Sequence, residues 1–293
     1  MTDIILTILG VTLVVLLWIM IYDSNRFVIR NITLSDKRIR KRKRAVLLSD
    51  LHNKKYGRDN RELIETIRKQ KPDMILIAGD ILTARPGRTP ESALQLLEAL
   101  SKEFPVYYGN GNHEHRLKLY PDTYGNMAEE YAKGLKEIGI EPMVNTHVDL
   151  EDCGMVIYGA EIDKKYYKRF KTPEMTPGYL QETLGSPNAG RYTVLLAHNP
   201  EHFKAYAAWG ADLVLSGHVH GGVARVPIWG KGVISPSLRL FPKYDGGVFR
   251  AERSVMVLSR GLGMHTVPLR LFNPGELWVV DFLPKTSGAD SVE

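Results

Sequence analysis

The first hydrophobic segment of the chain differs in pattern from every segment that follows. Residues 4–22 form an uncharged run of 19 residues, rich in Ile, Leu and Val and without a polar stripe. As a helix rising about 1.5 Å per residue, the run spans roughly 28 Å, close to a bilayer hydrocarbon core of about 30 Å. The pattern predicts one transmembrane helix over residues 4–22.

A cleavable signal peptide is the main alternative for this segment. Such a peptide begins with basic residues and ends at a small-x-small cleavage site. Here only Thr2 and Asp3 separate Met1 from the run, and residues 22–25 read Tyr-Asp-Ser-Asn. The flanks therefore favour an uncleaved anchor.

From residue 45 onward, short apolar segments alternate with amphipathic ones, which is typical of an α/β domain. No internal repeat or linker interrupts the pattern, so we expect one domain over residues 45–284 and a disordered tail over 285–293. The predicted surface loops are 163–190 and 230–247. The predicted helices are 60–71, 91–103, 124–138 and 200–209. The predicted strands are 45–49, 74–78, 105–108, 155–158, 192–197, 213–215, 255–258 and 277–282.

The formal net charge of +6 comes from one segment directly after the hydrophobic run. Residues 26–44 hold nine Lys or Arg, whereas residues 45–293 hold 30 basic and 30 acidic residues. By the positive-inside rule, a basic juxtamembrane segment over 23–44 places the domain in the cytoplasm. In that position the basic residues can also contact anionic lipid headgroups. The alternatives are a solvated turn and a segment that binds nucleic acid. A nucleic-acid partner is the less favoured interpretation, because the basic run begins only a few residues from the bilayer.

Composition narrows the class of protein further. A chain of 293 residues with 44% apolar and 25% charged residues is long enough for a full hydrophobic core. Cys153 is the one cysteine, so an internal disulfide framework and a cysteine metal cluster are excluded. We expect Cys153 to be a small buried residue.

Polar side chains suited to metal binding follow five of the predicted strands. Because ligand sites in α/β folds gather beyond the carboxyl ends of strands, we expect these side chains to converge. Carboxylates, imidazoles and an amide oxygen suit divalent Mn, Fe or Zn. The glycines before Asp80, Asn112 and His218 allow tight turns out of a strand. The five blocks are Asp50-Leu51-His52, Gly79-Asp80, Gly111-Asn112-His113-Glu114, His198 and Gly217-His218-Val219-His220.

The order of these blocks resembles that of the calcineurin-like metallophosphoesterases, over residues 45 to about 222. Stretches at 235–236, 240–247, 259–263 and 271–274 resemble a bacterial branch whose members are often membrane-anchored. The resemblance implies a metallo-dependent phosphatase-like four-layer α/β/β/α sandwich holding two divalent metal ions. It implies that Asp50, His52 and His220 bind one ion, that Asn112, His198 and His218 bind the other, and that Asp80 bridges them.

His113 adjoins the implied ligand Asn112 and must lie near the metals. In a two-metal site a bridging hydroxide can attack phosphorus without a side-chain base, whereas the leaving oxygen needs a proton as negative charge develops there. A protonated imidazole suits that task near neutral pH. We therefore predict that His113 is the general acid and not a metal ligand.

The predicted function is hydrolysis of phosphate esters or pyrophosphates, with a lipid-linked substrate favoured by the anchor. Some anchored relatives are UDP-diacylglucosamine pyrophosphohydrolases. The loop from Lys164 to Arg169 either contacts phosphate or headgroup, or is an exposed charged loop. A non-catalytic metal-binding module on the same fold is one alternative, although this chain keeps every ligand. A nuclease or phosphodiesterase acting on nucleotides is another. The sequence leaves the substrate, the native metal and the oligomeric state open.

The chain departs from the family pattern at three places. Many relatives carry a second acid after the Gly-Asp pair, where this chain has Thr83. Asn53 replaces a common Leu or Gly, and Asn273-Pro274-Gly275-Glu276 replaces Asn-Arg-Pro-Glu. None of these changes removes an implied ligand.

Overall fold

The computed structural model describes residues 1–168, 172–227, 229–235, 240–264 and 269–285. Two six-stranded sheets lie face to face. The first has the order β1-β12-β2-β3-β4-β5 and contains β1 (Phe27–Asp36), β2 (Lys43–Leu48), β3 (Met74–Ala78), β4 (Val106–Gly109), β5 (Pro142–Met143) and β12 (Gly275–Pro284). The second has the order β10-β11-β9-β8-β7-β6 and contains β6 (Thr146–Leu150), β7 (Met155–Ala160), β8 (Tyr192–Ala197), β9 (Leu213–Ser216), β10 (Gly247–Ala251) and β11 (Ser254–Leu258).

Helices connect the strands and cover the outer faces of the sheets. Single 3-10 turns lie at Arg58–Asn60, Glu151–Cys153, Lys164–Tyr167 and Pro200–His202. The helices are α1 (Thr2–Ser24), α2 (Arg61–Gln70), α3 (Glu91–Ser101), α4 (Asn112–Leu119), α5 (Pro121–Tyr124), α6 (Met127–Glu137), α7 (Pro177–Leu184) and α8 (Phe203–Trp209).

Three hydrophobic cores separate four layers. In β2, Val46 and Leu48 pack in a core with α2, α3 and α6, whereas Ala45 and Leu47 join the core between the two sheets. Residues of β7 and β8 alternate in the same way between the inter-sheet core and a third core under α7 and α8. Because both faces of the central strands are covered, they read as continuous apolar runs rather than alternating ones. The mixed α/β fold with two sheets confirms the predicted class.

All eight predicted strands and four predicted helices are present, with ends shifted by a few residues. The predictions missed β1, β5, β6, β10, α4, α5 and α7. The strand β6 is an edge strand with mostly exposed residues, so it lacks the apolar alternation that marks a strand. The helix α7 lies within the segment predicted as a loop, and α4 begins in the Asn112 motif with only one buried apolar side chain, Leu117.

The segment predicted as juxtamembrane contains a strand of the domain. All ten residues of β1 pair with β12, so residues 27–36 belong to the folded domain, not to a separate basic segment. Six of the nine basic residues in 26–44 form ion pairs with acids. These pairs are Arg26 with Asp23, Arg30 with Glu276, Arg38 with Asp36 and Asp212, Lys43 with Asp152, and Arg42 and Arg44 with Asp281.

The helix α1 is long and apolar enough to cross a membrane, with a mean hydropathy of 3.0 in its most apolar window. No residue of that window is buried against the part of the chain that the structure describes. The last turn differs, because Asp23 and Ser24 are buried in the domain. The disordered tail predicted over 285–293 lies, after Lys285, outside the described residues.

Candidate metal centre

The predicted site residues come together beyond the carboxyl ends of strands from both sheets. Asp50 follows β2, Asp80 follows β3 and Asn112 begins α4 directly after β4. From the second sheet, His198 follows β8, and His218 and His220 follow β9. Because β2, β3 and β4 are parallel, their carboxyl ends lie at one edge, as the sequence predicts.

Carboxylate and imidazole groups in the site approach within hydrogen-bonding distance of one another. His220 Nε2 lies 3.2 Å from Asp50 Oδ1, and His198 Nε2 lies 3.1 Å from Asp80 Oδ2. The Nε2 atoms of His52 and His220 are 3.1 Å apart. Three groups each offer ligand atoms within 4.8 Å of one another: Asp50, His52 and His220; His52, Asp80 and His113; and Asp80, His198 and His218.

The backbone adopts the left-handed region at five of these residues. Asp50 and His52 have φ of 51°, His220 has 52°, Asp80 has 56° and His218 has 74°. Non-glycine residues reach this region at a cost of roughly 1–3 kcal/mol, and such residues cluster at functional sites. The turns after β2, β3 and β9 therefore carry strain that packing elsewhere must offset.

Backbone amides hold the two carboxylates, and one buried acid holds the backbone around Asp80. His218 N donates to both oxygens of Asp50, at 3.0 and 3.1 Å. His113 N, in the first turn of α4, donates to Asp80 Oδ1 at 2.8 Å. The buried Glu114 accepts from the amides of Asp80, Ile81 and Gly111, each at 2.9 Å.

The glycines of the motif have two different roles. Gly79 has a φ of +87°, as expected for a tight turn. At Gly217 the requirement is close approach, because a Cβ there would lie 2.0 Å from Asp50 Oδ2 and from Ser49 Oγ. The prediction that Gly217 serves to turn the chain therefore needs this correction.

Burial and mutual charge shift the pKa values in opposite directions. Burial raises the pKa of Asp50, but His220 and His198 outweigh it and lower the pKa overall. Asp80 has a lowered pKa for the same reason, since His198 and His113 outweigh its burial. Burial lowers the pKa of His198, yet Asp80 and Asp50 outweigh it and raise that pKa to about 10. The two buried carboxylates thus create a strong preference for positive charge in the centre.

The donor set fits divalent metal ions. The side-chain oxygen of Asn112 is buried and accepts no hydrogen bond from the described residues, as expected for an atom reserved for a cation. His198 Nδ1 lies 2.6 Å from the carbonyl of Ala78. When Nδ1 donates to that carbonyl, loss of the Nε2 proton would free the Nε2 lone pair, which faces Asp80, for a metal ion; this orientation is typical of metal-binding histidines.

His113 is oriented differently from the other imidazoles. Ala84 N donates to His113 Nδ1 at 2.9 Å, so in this arrangement Nδ1 is an acceptor and Nε2 carries the ring proton. His113 Nε2 lies 4.0 Å from Asp80 Oδ2 and faces the centre. Burial also lowers the pKa of His113, the largest influence on that group. The geometry therefore favours a neutral His113 ring that presents its Nε2–H to the centre. The sequence led us to expect a protonated ring, an imidazolium, at this position.

Sequence reasoning gave no role to several residues that the structure places at the site. Glu114 holds three site amides, and Tyr167 lies with its ring centroid 5.2 Å from that of His218. Tyr167 belongs to the loop for which the sequence left two alternatives, a contact with phosphate or headgroup and an exposed charged loop. Lys164 of that loop places its Nζ over the ring of Tyr120, 4.5 Å from the centroid. Arg169 of that loop lies outside the described residues.

A downstream segment supports the first turn of the site. Leu262 N donates to Ser49 O at 3.1 Å, and Gly263 N donates to Asp50 O at 2.6 Å. Asn273 Nδ2 donates to the carbonyls of His220 and Gly222, at 2.8 and 2.5 Å. These contacts give a physical reason for the downstream stretches noted in the sequence.

The family model for calcineurin-like phosphoesterases matches residues 43–222, more than half of the chain. The chain belongs to the calcineurin-like phosphoesterase family. Its relatives in this family include an uncharacterized metallophosphoesterase of Campylobacter jejuni, 26% identical over 265 residues, which cover 88% of this chain and 63% of that protein. An uncharacterized metallophosphoesterase of Bacillus subtilis is 27% identical over 240 residues, covering 80% of this chain and 77% of that protein. The chain thus spans less than two thirds of the Campylobacter relative.

Solved structures resemble this calcineurin-like phosphoesterase more distantly. The crystal structure of TT1561 from Thermus thermophilus has a TM-score of 0.46 at 12% identity, covering 75% of this chain and 89% of that one. The family and the Asp and His clusters together imply divalent metal ions at the site.

Proposed function

We propose that this chain is a dinuclear metal-dependent hydrolase of phosphate esters or pyrophosphates. The observation that carries the proposal is the arrangement of two buried carboxylates among imidazoles that approach them from both sheets. Asp50, His52 and His220 would hold one ion, and Asn112, His198 and His218 the other. Asp80 would bridge the two ions, because groups on both sides of the centre offer ligand atoms close to its carboxylate.

When bound, two divalent ions would supply an activated water and neutralise charge on the phosphoryl oxygens. The side chains of this protein then have separate tasks. Asp50 and Asp80 are fixed by the amides of His218 and His113, which sets the geometry of the centre before substrate arrives. His113 Nε2–H faces the same space and would donate a hydrogen bond to the leaving oxygen. To transfer a proton as general acid, the ring would first have to take up a proton at Nδ1 and give up the hydrogen bond from Ala84 N, so that a neutral imidazole remains after the transfer.

We further propose that α1 is an uncleaved membrane anchor. Its last residues are built into the domain, because Asn273 N donates to Asp23 Oδ2 at 3.0 Å and Arg270 N donates to Ser24 Oγ at 3.2 Å. A signal peptidase cut near this point would remove these buried contacts. The basic residues after the helix favour a cytoplasmic domain.

A reporter test distinguishes the orientations. A fusion after Glu293 to a reporter active only outside the cytoplasm should stay silent, whereas a cytoplasmic reporter at the same position should be active. Strong activity of the first reporter would overturn the proposed orientation.

Topology supports a substrate at the membrane surface. Phe27 at the start of β1 pairs with Gly275, and Trp278 of β12 pairs with Leu47 near the end of β2. The anchor therefore joins the domain at the edge that carries the metal ligands. Lys54, two residues beyond His52, donates to the carbonyl of Ser24. We therefore propose a lipid-linked phosphate ester or pyrophosphate, of which UDP-diacylglucosamine is one example.

The test is a substrate screen with the purified full-length chain in detergent, supplied with Mn. Lipid pyrophosphates, nucleotides and aryl phosphodiesters are compared, and metal content is measured on the same sample. We expect two ions per chain, chelator-sensitive hydrolysis, and preference for the lipid pyrophosphate. Two bound ions without hydrolysis of any substrate would favour a non-catalytic module. Preference for nucleotides would favour the nucleotide phosphodiesterase alternative.

A further inference from the structure

One loop beside the metal centre exposes large apolar side chains that the fold does not use. The platform loop, the described residues among 222–245, lies between β9 and β10. Trp229 is 78% exposed, Leu240 68% and Phe241 64%. Single exposed apolar residues are common on protein surfaces, but three on one loop are a feature of interaction sites.

The platform loop is held in a defined shape. Val226 N donates to Lys231 O and closes the turn that carries Trp229, and Phe241 N donates to Val233 O on the returning segment. Val233 N in turn donates to Ala224 O. Three short segments are thus linked side by side, with the exposed aromatic residues on the turn and on the outer segment.

A buried arginine fixes the turn from beneath. Arg225 is 6% exposed, and its Nη1 donates to the carbonyls of Gly221 and Asp245, at 2.8 and 2.7 Å. Its Nη2 donates to the carbonyl of Gly230, the residue after Trp229. Burying a guanidinium is costly unless its donors are satisfied, so this arrangement holds the turn firmly. Trp229 itself remains exposed, so the rigid turn presents a side chain that contributes little to the domain.

The platform loop emerges where the anchor enters the domain. Ala224 forms a bridge with Leu271, and Arg225 N donates to Leu271 O at 3.0 Å. The neighbouring residues of that segment, Arg270 and Asn273, bind Ser24 and Asp23 at the end of α1. A bilayer crossed by α1 would therefore lie next to the platform loop.

We propose that the platform loop inserts Trp229, Leu240 and Phe241 into the interfacial layer of the membrane that α1 crosses. The inference rests on the proposed anchoring of α1. Tryptophan suits the interface, because its ring is apolar and its indole N–H can bind water or headgroups. The exposed Lys231 and Lys243 lie next to these residues in sequence and suit anionic headgroups. A second contact would fix the tilt of the domain about α1 and hold the metal centre against the membrane surface.

Tryptophan quenching by brominated lipids tests the insertion directly. The chain has four tryptophans, of which Trp209 and Trp278 are buried and serve as internal references. The full chain carrying Trp18→Phe is reconstituted in phosphatidylglycerol and phosphatidylethanolamine vesicles, with or without bromine near the glycerol end of the acyl chains. The matched control carries Trp18→Phe and Trp229→Phe. We expect a blue-shifted emission component that brominated lipid quenches, present in the first protein and absent from the control.

A second pair of measurements separates the loop from the anchor. Trp229→Phe alone leaves Trp18 in α1 as the reporter of helix insertion. Quenching of Trp18 without quenching of Trp229 would overturn the proposal for the loop and leave the anchor and the hydrolase standing. Absence of both signals would overturn the anchor and the loop together, whereas hydrolysis of a soluble aryl phosphodiester would still report on the metal centre.

Discussion

Gly217→Ala is the sharpest test of the site geometry. The new Cβ would lie 2.0 Å from Asp50 Oδ2, about 1.4 Å closer than ordinary van der Waals contact. The carboxylate cannot simply rotate away, because His218 N donates to both of its oxygens, and a Cβ at Gly261 would lie only 2.6 Å from the Cβ of Asp50. The Asp50 carboxylate must therefore move relative to the other groups that we propose to bind metal.

The expected loss follows from that displacement. Metal–ligand distances tolerate about 0.2 Å, and a misplacement of about 1 Å in an active site can cost roughly 10²-fold in rate. We expect metal affinity to fall by roughly 10–100-fold and activity at saturating metal by about 10²-fold.

The matched control is Gly178→Ala in α7, where a Cβ meets nothing within 4 Å. Metal affinity is measured by competition with a chromophoric chelator, and activity with a nitrophenyl phosphodiester. Circular dichroism and thermal melting show whether each variant is folded. A folded Gly217→Ala protein with the affinity and rate of the control would refute the placement of Asp50 as a ligand.

Three further outcomes follow from the site. Asp80→Asn should weaken the binding of both metal ions, because Asp80 would bridge them. Elemental analysis that finds two tightly bound ions in the variant would contradict bridging. His113→Ala should keep the metals yet lose roughly 10²–10⁴-fold in rate, and the loss should be smaller with nitrophenol as leaving group. The control is His147→Ala, because His147 is exposed. Equal losses on good and poor leaving groups would refute the acid role. His198, with a pKa raised to about 10, is protonated near neutral pH before metal binds. Because metal must displace that proton, metal affinity should rise by about tenfold per pH unit up to that value. A metal affinity that does not change with pH, measured by isothermal titration calorimetry, would contradict this.

The secondary structure was predictable wherever a segment buries one or two apolar faces. The strand β3 has five buried residues in succession, and α2 buries Leu63, Ile64 and Ile67 on one side. Such patterns arise from local geometry and are visible in the sequence. The strand β1 has an irregular burial pattern and gains its place from pairing with β12, almost 250 positions later. No local rule predicts a pairing over that separation.

The sequence by itself predicted that these carboxylates and imidazoles would converge, because they follow predicted strands whose carboxyl ends meet at the edge of a sheet. Their roles as ligands rest on the family resemblance and stay a prediction. Tertiary structure alone decided how each group is oriented. Ala84 N, 29 positions before His113, determines which ring nitrogen faces the centre. Gly217 is required by the proximity of Asp50, from another sheet. Such contacts depend on which atoms meet across the two sheets, and distance along the chain carries no information about them.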